Sequence, residues 1–530
     1  MYAQVAERLL VHDTPGASLT YVSTALDGSG NVYSATSYKQ PYTYEGVSIN
    51  MLLPTSSEEV LFCKHGPTGD LLFHKRIAVT GGNTPTVGRI EFMAVDGVGY
   101  AYLSTQGTLG SGFLRVEDDS LALTNTGNMV IQLRPDGTLR SVRRYAGIRN
   151  VAAADTSLFM AYTDATDGNK LKIEQYDSTF TVPAWSVEGN ANLGIGAVSN
   201  DRSQLAVSPD GEWIAVLTKE GGGAGQVGLL NVPFQTVGAF DEMAVIILDR
   251  EGNVQGIRTF FGSSTTAGQN ELPNAVAISN DGRVTLSCYM PGTTQFAGTT
   301  YEQVAGFSSN YGLIVNWDDQ GNEDWAVQFL SQTQSPRIDG LAVTPDGDIV
   351  LGAMWATSYQ LGSASGSGNA QRSLTARLDG ATGNVEWTLI PTSVDNSMTG
   401  QRIVAIDNFH FVMSGKALLD FQFGGLPPAG VAFSSQFLLF VTDPSIGIGE
   451  IDESTVTYPH YLDPTTDLLR IEVTDDGGPW MLHDAQGRTL LTGRVVRGTN
   501  FIELGACVDG IYIMRIGAGT DRKHLRFVKH

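Results

Sequence analysis

The stretch that decides the fold is Val207-Ser208-Pro209-Asp210-Gly211-Glu212-Trp213-Ile214, in which an apolar run leads through an Asp-Gly turn into a second apolar run. An Asp-Gly pair between two alternating apolar runs is a strong signal of a β-hairpin. The pattern recurs as Val343-Thr344-Pro345-Asp346-Gly347-Asp348-Ile349 and, in looser forms, at five more places. Its mean spacing of about 63 residues indicates an internal repeat. The turn aspartates of the seven copies are Asp27, Asp96, Asp155, Asp210, Asp281, Asp346 and Asp407.

Each unit contains a second hairpin after the first. In the fifth unit the run 313–317 is followed by the turn Gly321-Asn322 and then by Trp325, and the sixth unit repeats this order up to Trp387. Two hairpins make a four-stranded antiparallel unit, and seven such units predict either a β-propeller or an array of sandwiches. A propeller closes on itself and protects the edges of its sheets. We therefore expect an all-β fold with a seven-bladed β-propeller over residues 1–448, while six or eight blades stay open.

The two ends of the repeat region complement each other. The seventh unit has a third strand at 437–441 but no fourth strand, and the chain begins with the apolar run 5–11. Leu9 lies 18 residues before Asp27, close to the 21 residues between Trp325 and Asp346. This spacing is that of an outer strand before the next unit, so we expect the N-terminal strand to close the ring beside the last unit.

The repeat unit resembles the propeller repeats of secreted bacterial proteins. The likeness rests on an Asp-Gly turn before a strand and on the later Gly-Asn-x-x-Trp, which units five and six carry most fully. The resemblance implies a fold and carries no catalytic residue with it.

The pattern changes after residue 448, where 449–454 form a linker and 455–530 a small β-sandwich. Four motifs follow in order, Tyr461-Leu462-Asp463-Pro464, Asp484-Ala485-Gln486-Gly487-Arg488, Gly510-Ile511-Tyr512 and Phe527-Val528-Lys529. This module resembles the type A C-terminal sorting domain of the type IX secretion system of Gram-negative bacteria. That family begins with Tyr-Pro-Asn-Pro, whereas Leu462 and Asp463 stand at the two middle places here. Because of this departure, the position of the first strand of the module is undecided, and Tyr458-Pro459 is an alternative match for the Tyr-Pro pair.

The resemblance implies an export route. It implies that the type IX machinery is a partner and that the chain passes through the periplasm to the outer-membrane surface or to the medium. It also implies that the sorting signal is carried by Tyr461, Asp463, Pro464, Asp484, Gly487, Arg488, Gly510, Ile511, Tyr512 and Lys529.

Composition excludes several classes of partner and scaffold. The 530 residues hold 33 Lys and Arg against 55 Asp and Glu, a net charge of −22 that repels nucleic acid and anionic membrane surfaces. Three cysteines, Cys63, Cys288 and Cys507, do not suffice for a disulfide framework. The sequence contains no run of 18 apolar residues, so it predicts no membrane span.

Short catalytic and metal-binding motifs are absent from the sequence. The eight histidines show no zinc spacing, and there is no Gly-x-Ser-x-Gly elbow. We therefore expect no enzyme and no cofactor. The acidic turn with Asp318, Asp319 and Asp324 is a weak calcium candidate, but it lacks the spacing of a full calcium loop, so a plain hairpin turn is favoured.

The remaining candidates are aromatic residues and long inserts. Because Trp185, Trp325 and Trp387 recur in phase, we expect them to pack between blades rather than to form a carbohydrate platform. The inserts 36–54, 104–125, 219–240 and 359–373 are better candidates for binding.

The leading interpretation is an exported propeller that binds a glycan, a protein or copies of itself. One alternative is a propeller lyase or hydrolase with a site at the mouth of the channel. Another is a structural subunit of a surface layer or filament. An enzyme would need clustered acids at the channel, and the sequence alone does not place residues there.

Overall fold

The computed structural model confirms the all-β prediction, because its described residues form strands and turns and no helix. The chain divides into a larger unit, Val5–Thr442, and a second unit that contains Asp443–His530. Nowhere in the described part of the chain does an apolar helix reach membrane-spanning length. The described residues are 5–13, 22–53, 58–80, 89–106, 112–123, 128–145, 150–164, 170–189, 193–194, 205–220, 226–229, 232–235, 242–260, 272–394, 398–418, 420–429, 434–443, 460–463, 468–474, 478–484, 489–505, 507, 510–516 and 523–529.

The described residues of the larger unit form 39 strands. In its first half they are β1 (Val5–Asp13), β2 (Ser23–Leu26), β3 (Val32–Tyr38), β4 (Tyr42–Tyr44), β5 (Val47–Ile49), β6 (Glu59–His65), β7 (Leu71–Thr80), β8 (Arg89–Val95), β9 (Ala101–Gln106), β10 (Gly112–Val116), β11 (Asp119–Leu123), β12 (Asn128–Leu133), β13 (Leu139–Tyr145), β14 (Asn150–Ala154), β15 (Ser157–Asp164), β16 (Lys170–Tyr176), β17 (Pro183–Glu188), β18 (Leu193–Gly194), β19 (Leu205–Val207) and β20 (Trp213–Glu220). In its second half they are β21 (Gln226–Leu229), β22 (Val232–Gln235), β23 (Glu242–Asp249), β24 (Val254–Phe260), β25 (Leu272–Ile278), β26 (Val284–Pro291), β27 (Thr294–Phe296), β28 (Thr299–Tyr301), β29 (Asn310–Trp317), β30 (Glu323–Ser331), β31 (Arg337–Val343), β32 (Ile349–Leu361), β33 (Ala364–Leu378), β34 (Val385–Leu389), β35 (Ser393–Val394), β36 (Met398–Ala405), β37 (His410–Leu418), β38 (Phe421–Gln422) and β39 (Ser434–Thr442).

Seven antiparallel strand sets, here called sheets 1 to 7, follow one another along this unit. Their orders from the first strand outward are β2-β3-β6-β7, β8-β9-β12-β13, β14-β15-β16-β17, β19-β20-β23-β24, β25-β26-β29-β30, β31-β32-β33-β34 and β36-β37-β39-β1. Middle strands are apolar on both faces because each sheet packs between two others. In β23, Val245 and Ile247 pack with residues of sheet 5, while Ala244 and Ile246 pack with residues of sheet 3.

The first strands contact one another in chain order. The contacts join β2 to β8, β8 to β14, β14 to β19, β19 to β25, β25 to β31 and β31 to β36, and β36 also contacts β2. The turns after these strands are linked in the same way. The backbone nitrogen of Asp210 donates to Oδ1 of Asn280 at 3.0 Å, and that of Asp346 donates to Oδ1 of Asn408 at 2.9 Å. Contacts between neighbouring sheets thus run from sheet 1 to sheet 7 and return to sheet 1.

The N-terminal strand supplies the outer strand that the seventh unit lacks. β1 pairs antiparallel with β39, with Val11 opposite Phe437 and His12 opposite Gln436. This is the pairing expected from the spacing of the repeat.

Two long hairpins leave their own sheets and pair with the preceding one, so the units are not uniformly four-stranded. β10 and β11, inserted between β9 and β12 of sheet 2, extend sheet 1 because β10 pairs with β7. The distal end of the β32–β33 hairpin of sheet 6 pairs with β30 of sheet 5, with Phe329 opposite Leu361.

The second unit consists of two small sheets. Their strands are β40 (His460–Asp463), β41 (Leu468–Val473), β42 (Gly478–Asp484), β43 (Thr489–Val495), β44 (Gly498–Glu503), β45 (Gly510–Ile516) and β46 (Lys523–Lys529), in the orders β40-β41-β44 and β43-β42-β45-β46. Both sheets contribute to one core, in which Leu469 and Ile471 pack with Leu482 and Met514.

Candidate functional site

A cavity of about 480 Å³ lies where the first strands of the larger unit meet, and residues of all seven line it. Each first strand contributes an alanine near its end to this lining. These alanines are Ala25, Ala94, Ala153, Ala206, Ala277, Ala342 and Ala405.

Within the described residues, four of the first strands carry a β-bulge, and each bulge residue is polar. Three of the bulges lie three residues before the alanine of their strand, and the one in β36 lies four residues before it. The extra residues are Glu91 in β8, Asn274 in β25, Asp339 in β31 and Gln401 in β36. A bulge leaves one residue outside the ladder of backbone pairs and re-aims its side chain.

Direct contacts connect the bulges of sheets 5, 6 and 7. Oγ of Ser287 accepts from the nitrogen of Ala275 at 3.1 Å and lies 3.0 Å from the carbonyl oxygen of Ile338, to which it donates. The bulge at residue 274 therefore adjoins the bulge at residue 339. Gly340 in turn packs so closely on Arg402 that a Cβ there would lie 3.1 Å from the Arg402 Cα.

Arg402 reaches from sheet 7 to the bulge of sheet 2. Its Nη2 donates to the carbonyl oxygen of Glu91 at 3.1 Å, and its guanidinium lies 5.2 Å from the ring centre of Phe92. Both Glu91 and Arg402 line the cavity. The lining also includes Asp27 and Asp155, so charged and polar residues share this wall with apolar ones.

The other bulges hold buried polar groups. Asp339 is 3% exposed and forms an ion pair with Arg337 at 3.0 Å. Asn274 is fully buried, and neither atom of its amide group has a hydrogen-bond partner within the described residues. An unpaired buried amide costs about 1–3 kcal/mol.

These groups define what the site can do chemically. A buried carboxylate such as Glu91 can act as a general acid or base. The guanidinium of Arg402 can bind an anionic or polyhydroxylated group through several hydrogen bonds.

Two carboxylates of the acidic turn of sheet 5 accept hydrogen bonds from other residues of the protein. Asp318 accepts from the nitrogen of Asn322 at 2.7 Å and from Nδ2 of the same residue at 2.9 Å. Asp324 accepts from Nη1 of Arg283 at 2.6 Å, and Asp319 is exposed beside them. Within the described residues, no group of three or more His, Cys, Asp or Glu is arranged for a metal ion.

The in-phase tryptophans pack between sheets. The ring of Trp325 in sheet 5 lies over Gly383 of sheet 6, and its Nε1 donates to the carbonyl oxygen of Gly380 at 3.0 Å. Trp185 stands in the same relation to Gly252, and Trp387 packs in the core of sheet 7. These rings hold neighbouring sheets together and form no open platform.

The long inserts also form ordered pairings with the sheets. The described parts of 36–54 contain the β4–β5 hairpin, while those of 104–125 and 359–373 contain the two hairpins that extend sheets 1 and 5. The insert 219–240 contributes the separate pair β21–β22.

Some of the predicted sorting residues fall within the described strands of the second unit. Tyr461 and Asp463 lie in β40, Asp484 ends β42, and β45 begins with Gly510 and Ile511. Pro464, Gly487 and Arg488 lie outside the described residues.

Tyr512 and Lys529 belong to the interior of that unit, where they are 1% and 6% exposed. Nζ of Lys529 donates to the carbonyl oxygens of Leu504 at 2.9 Å and Cys507 at 2.6 Å.

Comparisons with known proteins find no matching family model and no matching curated protein. Among solved structures, the chain is similar to the polysaccharide lyase PL25 ulvan lyase, with 10% identity, 78% of this chain and 93% of that chain covered, and a TM-score of 0.41. It is also similar to PorZ, a surface component of the type IX secretion system of Porphyromonas gingivalis, with 10% identity, coverage of 97% and 99%, and a TM-score of 0.19. A third is an ancestral GH74 enzyme, with 10% identity, coverage of 98% and 84%, and a TM-score of 0.19. No residue role follows from likenesses this distant.

One prediction is wrong and is corrected here. The absence of a short motif led to the expectation that the chain is not an enzyme, yet two of these similar structures are enzymes. The physical reason is that a site built from several first strands takes its residues from distant parts of the chain. Glu91 and Arg402 are 311 residues apart and still meet.

Proposed function

We propose that the larger unit is a closed seven-bladed β-propeller that binds a polysaccharide at its channel and cleaves it, as a lyase or a hydrolase. The observation that carries this proposal is the cavity of about 480 Å³ that residues of all seven first strands line, with Glu91 and Arg402 in its wall. Support for the ring itself comes from the contact of β36 with β2 and from the pairing of β1 with β39.

The chemistry of the cavity suits a sugar chain. Sugars present many hydroxyl groups, which pair with carboxylates, amides and guanidinium groups, and apolar ring faces, which pack on an apolar wall. In the proposed reaction Glu91 is the group that exchanges a proton with the substrate, and Arg402 holds a polar or acidic substituent of the sugar in place.

The test is a panel of neutral and acidic polysaccharides incubated with the full chain. New reducing ends without an unsaturated product identify a hydrolase, and the ultraviolet absorbance of an unsaturated sugar identifies a lyase. Glu91→Gln keeps the shape of the side chain and removes its charge, so it should lower the rate by about 10²–10⁴-fold. The matched control is Glu7→Gln on the exposed face of β1, which should leave the rate unchanged.

Two results would contradict parts of this proposal. Binding of a polysaccharide without any product would show that the larger unit is a binding module and not an enzyme. Full cleavage by the Glu91→Gln variant would show that the chemistry occurs elsewhere.

The proposal for the remainder of the chain is that residues 449–454 are a linker and 455–530 a module that directs export through the type IX machinery. It is supported by the motifs in 461–529 and by the separate core of the second unit. The module contains nine Lys and Arg and nine Asp and Glu, so the whole net charge of −22 lies on the first 454 residues. A neutral module on an acidic passenger is consistent with a separate role.

Deleting residues 455–530 should leave a folded larger unit that stays in the periplasm of the host. Placing the same segment behind a signal peptide and a reporter should send the reporter to the surface or the medium. Normal surface levels of the truncated chain would show that the module has another role.

A further inference from the structure

The seam between sheets 7 and 1 brings together the two ends of the larger unit. β1 comes from the N-terminal end, and its partner β39 from the C-terminal end of this unit. The β4–β5 hairpin, which lies between β3 and β6 of sheet 1, reaches across to β1. The ring of His12 stacks on the ring of Tyr44 with centroids 3.9 Å apart, and His12 Nδ1 lies 3.1 Å from the hydroxyl oxygen of Tyr42.

Tyr44 connects two histidines that belong to different sheets. Its hydroxyl oxygen lies 2.8 Å from Nε2 of His65 in β6, while its ring covers His12 of β1. Both histidines are fully buried, and Tyr44 is 1% exposed. Nε2 of His12 has no hydrogen-bond partner within the described residues. A proton added there would create a buried charge without a partner.

Charged groups at the rim of the same seam hold the hairpin from outside. Nη2 of Arg8 in β1 lies 2.6 Å from Glu45 at the tip of the hairpin, and Nη1 lies 2.5 Å from Asp70 of sheet 1. The seam therefore has a buried aromatic interior and an ion-paired rim.

We propose that this seam is an acid-sensitive lock, which holds the ring closed while His12 and His65 are neutral and releases β1 when they take up protons. The proposal goes beyond the proposed catalytic function, because it concerns how the ring stays closed and does not depend on any substrate.

The titration of the two histidines has the direction that such a lock requires. Burial, with the nearby His65, lowers the pKa of His12 to about 3. Burial likewise lowers the pKa of His65 to about 4, with the Val32 backbone raising it and Arg8 lowering it further.

Four of the other groups that face these histidines, Tyr42, Tyr44, Cys63 and Asp70, do not titrate in the same pH range. Burial raises the pKa of Tyr42, Tyr44 and Cys63, so all three stay neutral in acid. Hydrogen bonds from Arg8 and Thr68 lower the pKa of Asp70, so this carboxylate keeps its charge until the pH is well below that range. Glu45 is ion-paired with Arg8 in the same rim.

The sign of the effect follows from comparing the closed seam with an open one. An exposed histidine has a pKa of about 6.5, so both histidines are charged in the open state before either is charged in the closed state. The neutral pair therefore stabilises closure above about pH 6.5, and this contribution is lost as the pH falls toward 4. With two protons taken up, the opening constant rises by up to about 100-fold for each pH unit within that window.

Hydrogen exchange of the full chain, read by mass spectrometry, tests the lock strand by strand. Protection factors corrected for intrinsic exchange are compared at pH 7.5 and pH 5.5 for β1 and for β15, the second strand of sheet 3. We expect β1 to lose at least about tenfold in protection while β15 changes little. An unchanged β1, or an equal loss in both strands, overturns the proposal.

Two variants separate the histidines from other causes of acid lability. His12→Phe keeps a ring against Tyr44 and cannot titrate, so its β1 protection should depend less on pH than that of the wild type. Should this variant not fold, Tyr44→Phe removes only the hydroxyl next to His65 and should lower the protection of β1 already at pH 7.5. The control is His74→Gln in β7, which should leave the pH dependence of β1 as in the wild type. If His12→Phe loses protection in acid as steeply as the wild type, the histidine lock is refuted.

Discussion

The contact between Trp325 and Gly383 makes the sharpest prediction about what holds neighbouring sheets together. Gly383 has φ of +70°, and a Cβ added there would lie 2.5 Å from Cε3 of the Trp325 ring. That ring is 7% exposed and donates a hydrogen bond to the carbonyl oxygen of Gly380 at 3.0 Å. In Gly383→Ala the left-handed backbone costs about 1 kcal/mol. The displaced indole loses a hydrogen bond of about 1 kcal/mol and apolar burial of about 1–2 kcal/mol.

The control is Gly298→Ala, which has a nearly equal φ of +74° but no atom within 4 Å of the added Cβ. It should cost only the backbone contribution of about 1 kcal/mol. Urea unfolding of the full chain, followed by tryptophan fluorescence, gives the free energy of unfolding for both variants. The difference of about 2–3 kcal/mol measures the interlock of sheets 5 and 6. Two variants within about 0.5 kcal/mol of each other would refute this reasoning.

Two further predictions concern contacts made by charged side chains. Lys529→Met leaves the buried carbonyl groups of Leu504 and Cys507 without their donor, so we expect the second unit to lose about 2–4 kcal/mol, read as faster hydrogen exchange in β45 and β46. Burial alone would raise the pKa of Glu117, but its hydrogen bonds with Arg76 lower it, so its hold on the β10–β11 hairpin is present above its ordinary pKa and lost in acid. Glu117→Gln should therefore speed exchange of β10 by about tenfold at neutral pH, and an unchanged rate would show that strand pairing alone holds the hairpin.

Local sequence patterns predicted much of the fold. The turn at Asp210-Gly211 and its counterparts needed only an Asp-Gly pair between apolar runs, because such a turn fixes its own backbone geometry. The partner of β1 was predictable for a different reason, since the repeat left one strand missing at 437–441 and one unused at 5–11. The turn could be predicted from the sequence of a single unit, and the partner of β1 from a count of the strands in the units.

The pairing of the long hairpins could not be read in the same way. β10 joins β7 and the end of β32 joins β30 because the inserts bend back onto the preceding sheet. This choice depends on the shape of the assembled sheets, which no local pattern records. The inserts at 104–125 and 359–373 therefore looked like free binding loops in the sequence.

The alanine that each first strand places in the cavity wall was visible but carried no meaning before the fold was known. It stands two residues before an Asp, Ser or Thr in all seven units, as in Ala25-Leu26-Asp27 and Ala342-Val343-Thr344. With the sheets assembled, the alanines of all seven first strands line one cavity.

The bulge residues explain why no sequence motif marks the candidate site. Glu91, Asn274 and Asp339 occupy one structural position, three residues before the alanine of their strand, but differ in type, so no shared letter marks them in the sequence. A repeat must keep the residues that build its sheets alike, whereas a site needs different groups around a ligand. In a chain of this kind the recurring residues therefore encode the repeated sheets, and a site is expected where equivalent positions of the units differ.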